Sequence, residues 1–288
     1  MDEEEMRKDV RKGYAKIARD GLCCGPSTSC EGSAAMVEDM GKKMGYTEED
    51  LKSIPEGANL SLGCGNPVAL ASLKKGETVV DLGSGAGVDC FLASKKVGAK
   101  GHVIGVDMTI EMIDKARENA KKGDYENVEF RLGEIENLPV ADNTADVIIS
   151  NCVINLTPNK QRVFDEAFRI LKPGGRLMVS DIVLLKELPD SVKEGAHPAS
   201  CVKGAMLKDK YLKTIEQAGF RNIETAGKGQ YSIEEVANDP NAKVIVANPK
   251  TKTEELKSIS ELEEKQKAIV EQVLSSTMSL SVSAVKPE

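Results

Sequence analysis

Two groups of residues in this chain have the types and spacing to do chemistry. The first is Val79-Val80-Asp81-Leu82-Gly83-Ser84-Gly85-Ala86-Gly87, with a further acid, Asp107, downstream. Three alternate glycines let backbone approach a ligand closely, because glycine has no Cβ and tolerates positive φ. A helix opening at that turn aims its N–H groups at the same ligand. Asp107 closes the next apolar run, Val103-Ile104-Gly105-Val106, where a carboxylate can accept hydrogen bonds from both hydroxyls of a ribose. The chemistry this predicts is the holding of a nucleoside-bearing small molecule. The second group is three isolated cysteines, Cys64, Cys152 and Cys201, each beside small or turn-forming residues. Thiolates select soft, thiophilic centres. Free cysteine is also among the most buried residue types, so for any one of the three alone, packing is the simpler reading.

The spacing narrows the nucleoside ligand. A dinucleotide turn reads G-x-G-x-x-G/A after a strand. Here Val88 stands where the last small residue should, and Gly87 arrives one residue early. Asp81, just before the turn, is out of place against a pyrophosphate. A cationic ligand without phosphate suits a carboxylate-lipped pocket better. S-adenosylmethionine is such a ligand, with a sulfonium, an amino acid end and an adenosine.

The elements that must position these groups follow from periodicity. Short apolar strands at 78–82, 103–107, 128–132, 145–150 and 176–183 alternate with helical stretches at 87–96, 110–122 and 160–171. That alternation predicts βαβ units and a parallel sheet covered on both faces. Cys152 then falls directly after the fourth strand, at the carboxyl edge where open α/β sheets bind ligands. Cys64 and Cys201 lie on segments able to reach that edge. A helix at 208–218 ends at Gly219, and runs at 221–225 and 243–247 can complete the sheet. Upstream, 2–20 carries apolar residues at helical spacing. Residues 21–35 read as a Cys-rich loop and 34–44 as a helix. Thr47 caps a short helix, and 61–67 is a further glycine-punctuated loop. From 254 to about 273 a charged helix is expected, followed by a frayed Ser-rich end. The domains expected are a helical cap with a Cys-rich loop (1–60), a ligand-binding core (61–185), an acceptor-binding insertion with the last helix and strands (186–250), and a helical tail (251–288).

Bulk composition excludes several classes. The chain has 288 residues, 40% hydrophobic and 30% charged, with a net charge of −7, as expected of a globular protein. No apolar run approaches the roughly eighteen residues a membrane helix needs, and the acidic start is unlike a signal peptide, so a cytoplasmic protein is expected. Without tryptophan, with 3% aromatics and an acidic balance, it lacks the basic stripe and stacking platforms of a nucleic-acid binder. Two histidines, His102 and His197, are too few for a histidine-rich zinc site and are expected in loops. Seven cysteines, an odd number, argue for thiol chemistry or packing over a disulfide framework. Cys90 is expected to be packing alone.

Asp81-Leu-Gly-Ser-Gly-Ala-Gly87 resembles the first motif of the seven-stranded class of S-adenosylmethionine-dependent methyltransferases, with Asp107 as the ribose-binding acid. Gly133-Glu134-Ile135-Glu136-Asn137-Leu138-Pro139 resembles the segment bordering the adenine there, and Leu171-Lys-Pro-Gly-Gly175 the turn before the fifth strand. Around the cysteines, Leu-Gly-Cys64-Gly-Asn-Pro, Ser-Asn-Cys152-Val-Ile-Asn-Leu and Cys201-Val-x-Gly-Ala resemble the arsenite methyltransferase family, over about residues 11–220. The resemblance implies an α/β, doubly wound, mostly parallel seven-stranded Rossmann-like sheet with an N-terminal helical cap and a C-terminal helical extension. It implies methyl transfer to trivalent arsenic held by Cys64, Cys152 and Cys201, with Cys24 (Cys23 close behind) as a reactive N-terminal thiol. It assigns the donor to Asp81, Gly83, Ser84, Gly85, Gly87, Asp107, Met108, Glu134, Ile135 and Asn151. A thiol reductant such as thioredoxin or glutathione would complete the cycle. Two alternatives stay open: a small-molecule C- or O-methyltransferase with structural cysteines, and a thiol-based metalloid-binding protein without turnover. After Phe220 the chain departs from the family pattern.

Overall fold

The structure, a computed structural model, describes residues 3–20, 42, 45–60, 72–189, 192, 201–228, 244–248, 253–257 and 259–288. Cys23, Cys24, Cys30, Cys64 and His197, with the expected loops at 21–35 and 61–67, lie outside them.

Helix α1 is Glu3–Asp20 and α2 is Glu48–Lys52, closed by a reciprocal capping box between Thr47 and Asp50. Then follow β1 (Thr78–Leu82), α3 (Val88–Val97), β2 (His102–Asp107), α4 (Ile110–Lys122), β3 (Val128–Leu132) and β4 (Ala145–Asn151). After a single 3₁₀ turn at Ile154–Leu156 come α5 (Lys160–Ile170), β5 (Leu171–Leu184), α6 (Lys208–Gln217) and β6 (Arg221–Lys228). The chain closes with β7 (Val244–Asn248), β8 (Thr253–Lys257), α7 (Glu264–Ser276) and β9 (Thr277–Val285).

One seven-stranded sheet has the order β3-β2-β1-β4-β5-β9-β6, and β9 alone runs against its neighbours. Alternating residues bury both faces. Val80, Leu82, Ile104 and Ile148 pack with Val163 and Phe164 of α5 and Tyr211 of α6. Val79, Val103, Val147 and Ile149 pack on the other face with Phe91 of α3 and Ile113 of α4. The order reverses between β1 and β4, so their carboxyl ends diverge and leave a crevice there. The glycine turn and Cys152 follow those two ends.

The C-terminal expectations are corrected. The 243–247 run does not join the main sheet; β7 pairs with β8 in a separate hairpin, so residues 253–257 are strand and the helix starts at Glu264. The Ser-rich end is not frayed. It is β9, inserted between β5 and β6, with Leu280, Val282 and Ala284 buried at 1% exposure each. Serine alternating with an apolar residue is a period-two strand signal. His102 opens β2 instead of preceding it, and its Nε2 lies 3.5 Å from Glu129.

Candidate functional site

The glycine turn is held from below and from the side. Gly83 and Ser84 each donate an N–H to the Val106 carbonyl, at 2.8 and 3.0 Å. Asp107 reaches across from β2, accepting from the Gly85 N–H at 3.0 Å and from the Thr109 N–H at 2.8 Å. The Asn119 side chain donates to the Ala86 carbonyl at 3.1 Å. Gly83 has a φ of +73°, and a Cβ there would sit 2.5 Å from Val153, so the turn and the segment after β4 pack with no room for a side chain.

A cavity of about 1010 Å³, counted to its open mouth, lies over this turn. Its wall contains Asp81, Gly83, Ser84, Gly85, Asp107, Met108, Ile135, Asn151 and Cys152, all expected at the site. Two expected donor residues fall elsewhere. Gly87 lies behind the wall, where a Cβ would strike Phe91 at 2.7 Å and Phe130 at 2.8 Å. Glu134 turns to α1, 3.1 Å from Arg11. Arg7, Val10 and Tyr14 of α1 close one side of the cavity, and Arg7 pairs with Glu136 at 3.4 Å.

Sequence reading missed Asp89 and Tyr46. Asp89, in the first turn of α3, accepts from the Tyr46 hydroxyl at 2.8 Å and from the Asn151 amide at 3.3 Å. An acid just past a glycine turn, near a helix N-terminus, was the available signal for Asp89. Tyr46 had none, because it arrives from forty residues away. Cys90 does more than pack: its thiol donates to Asp81 at 3.3 Å.

Four carboxylates (Asp81, Asp89, Asp107, Glu136) and one basic residue, Arg7, stand in the described wall. Burial first, then the charges of Asp89 and Asp107, push Asp81 well above the usual carboxylate range. Burial pushes Asp89 up to about 6, opposed by the Tyr46 and Asn151 bonds. Burial also raises Asp107, against its backbone bonds. Such a cluster is short of positive charge, and a desolvated cation would favour the ionised carboxylates. The Ser84 hydroxyl, 4% exposed and in the wall, has no hydrogen-bond partner among the described residues. Both observations fit a cationic, polyhydroxylated nucleoside.

At the β4 end of the cavity stand two of the three expected thiols. Cys152 has a φ of +61°, held by its N–H donating to the Ser180 carbonyl at 2.7 Å. Its sulfur is 3.0 Å from that of Cys201, and the Cys201 thiol also contacts the Cys152 carbonyl at 3.1 Å. That separation is well beyond the roughly 2.05 Å of a disulfide, so the two sulfurs are not joined by one. The bond to Cys152, then burial, raises the Cys201 thiol well above its ordinary range. Beneath them Asp181, fully buried, accepts from the Tyr211 hydroxyl at 2.8 Å, and burial lifts it to about 7. No group of three potential metal ligands forms among the described residues, and none of their helices is long and apolar enough to cross a membrane.

A one-reversed-strand sheet with an acidic cavity at its switch point is the architecture of a class of methyl-transferring enzymes. A geranyl diphosphate C-methyltransferase from Streptomyces coelicolor matches it with a TM-score of 0.63 at 16% identity, covering 98% of both chains, a likeness of fold alone. Residues 73–219 match the family model described as Methyltransferase domain, and the chain belongs to that family. Among its relatives, an arsenite methyltransferase from Halobacterium salinarum is 50% identical over 245 residues, 80% of this chain and 61% of the relative. A human arsenite methyltransferase is 33% identical over 229 residues, 75% of this chain and 58% of that one. The chain thus spans about three fifths of the length of these relatives. A solved arsenic(III) S-adenosylmethionine methyltransferase from Chlamydomonas reinhardtii matches with a TM-score of 0.58 at 28% identity, covering 86% of this chain and 73% of that one.

Proposed function

We propose that this protein transfers a methyl group from S-adenosylmethionine to trivalent arsenic held by cysteine sulfur. The observation that carries the acceptor half is the Cys152–Cys201 pair, 3.0 Å apart, with Cys152 in the wall of the acidic cavity. The arsenite methyltransferase relatives support the same reading.

Asp81, Asp89 and Asp107, with Ser84 and the Gly83–Gly85 backbone, would hold the donor. When bound there, S-adenosylmethionine supplies an electrophilic methyl on a sulfonium. Cys152 and Cys201 bind As(III) as sulfur ligands, each thiol losing its proton to a hydroxide that leaves arsenic as water. Cys64, in the family motif but outside the described residues, is the third ligand proposed. Arsenic keeps one lone pair, so the acceptor needs no general base; the described cavity wall contains no histidine. With arsenic held by those sulfurs beside the donor, its lone pair would take the methyl, and the electron pair of the cleaved sulfonium–methyl bond would stay on the donor sulfur. The protein's contribution is to hold two reactants side by side. Arsenic then stands at the pentavalent level; closing a Cys152–Cys201 disulfide would break two As–S bonds and return two electrons, leaving methylated arsenic trivalent. An external thiol reductant of the thioredoxin or glutathione class would reopen the disulfide.

The test is incubation of the purified protein with arsenite, S-adenosylmethionine and a thiol, with the arsenic species read by mass spectrometry. Methylated arsenic is expected. Unmethylated arsenite after many donor-binding half-lives would refute the reading.

A further inference from the structure

Cys201 must be placed against Cys152 from a segment that enters from outside the sheet, and the structure shows what seats it. Cys152 and Asn155 are three residues apart in the segment after β4; Cys201 and Gly204 are three apart in the facing segment. The two cysteines meet at one end, with their sulfurs 3.0 Å apart. At the other end Gly204 lies on the Asn155 backbone. A Cβ built at Gly204 would fall 1.8 Å from the Asn155 carbonyl oxygen and 3.0 Å from its carbonyl carbon. Both are backbone atoms, so no rotamer change relieves the clash.

Asn155 cannot retreat. It is fully buried, within the Ile154–Leu156 turn, and its side-chain amide donates to the Ile182 carbonyl of β5 at 2.6 Å. The facing segment is tied down as well. The Met206 carbonyl accepts from the Leu184 N–H at 2.8 Å, and Leu207 bridges to Leu184. Between those anchors, contact at residue 204 sets how closely residue 201 approaches.

We propose that Gly204, closed against Asn155, is a positioning residue of the acceptor site: it sets the separation of the Cys152 and Cys201 sulfurs. This rests on the reading of those cysteines as arsenic ligands, but the geometric claim can be measured without arsenic. Glycine is required here for its missing side chain, since Gly204 is not among the glycines with a positive φ.

The variant is Gly204→Ala in the full chain. The first readout is the rate at which diamide closes a Cys152–Cys201 disulfide, taking two electrons and two protons, followed by peptide mass spectrometry. Misplacement of reacting groups by about 1 Å can cost about 100-fold in rate, and a loss approaching that is expected. S-adenosylmethionine binding, by calorimetry, serves as the fold control and should stay at the parent value. Asn155→Ala keeps the carbonyl and loses only the tie to Ile182, so its loss should be intermediate, which keeps the test open if Gly204→Ala fails to fold. Disulfide closure at the parent rate in Gly204→Ala, or in Asn155→Ala should the first not fold, overturns the proposal. Slow closure in the variant, with a parent protein that does not methylate arsenite, would uphold Gly204 and refute the arsenic reading.

Discussion

Cys152 is the residue on which both halves of the site converge. It stands in the cavity wall with the acids and touches Cys201 with its sulfur. It does so from a left-handed backbone conformation, φ +61°, that costs a non-glycine residue about 1–2 kcal/mol. Strain of this kind persists where the surroundings over-determine it, here through the Ser180 carbonyl. Replacement should therefore separate stability from function. Cys152→Gly should be more stable than Cys152→Ala by up to about 1 kcal/mol, the strain relief less the entropy of a freer unfolded chain. Urea denaturation of the two variants checks it, and an alanine variant more stable than the glycine variant by about 0.5–1 kcal/mol, the glycine entropy cost alone, would show that the conformation carries no strain. At this scale much of the site was legible. Asp81, the glycines and Asp107 announced themselves by spacing along one strand-turn-helix. Tyr46 did not, because its pairing with Asp89 depends on folding two distant segments together.

Among the elements, β9 departs furthest from what sequence suggested. Its serines read as a frayed end, yet Leu280, Val282 and Ala284 face one core while Ser281 meets Ser180 hydroxyl to hydroxyl at 3.0 Å. The strand is stitched down past its end. The Lys286 N–H donates to the Gly175 carbonyl, and its ammonium donates to the Leu171 and Phe168 carbonyls at 2.7 and 2.8 Å. This strand lies against β5, whose Ser180 carbonyl holds Cys152, so β9 supports the Cys152–Cys201 pair from behind. Leu280→Ala should destabilise the fold by about 2–5 kcal/mol, as for a buried leucine. A frayed segment would lose less than about 0.5 kcal/mol, the range of surface substitutions, and thermal or urea unfolding distinguishes the two. Strand order was not legible in the sequence. Which strand enters between β5 and β6 depends on pairings across more than fifty residues, and local periodicity carries no information about those.

For the molecule as a whole, the division of labour follows the sheet. The carboxyl ends of β1 and β2 gather acids around a cavity suited to a cation, and the end of β4 brings in Cys152, which meets Cys201 from a segment outside the sheet. Composition pointed to this separation only in part: few histidines and several isolated cysteines suggested thiol chemistry, but not that two sulfurs would stand 3.0 Å apart. The central claim is that those sulfurs hold arsenic beside the methyl donor. X-ray absorption at the arsenic edge, on arsenite-loaded protein and on Cys152→Ser and Cys201→Ser, counts the sulfur neighbours of arsenic directly. Sulfur coordination in the parent that falls by one neighbour in each variant is the result expected. An arsenic shell unchanged by either substitution would contradict it.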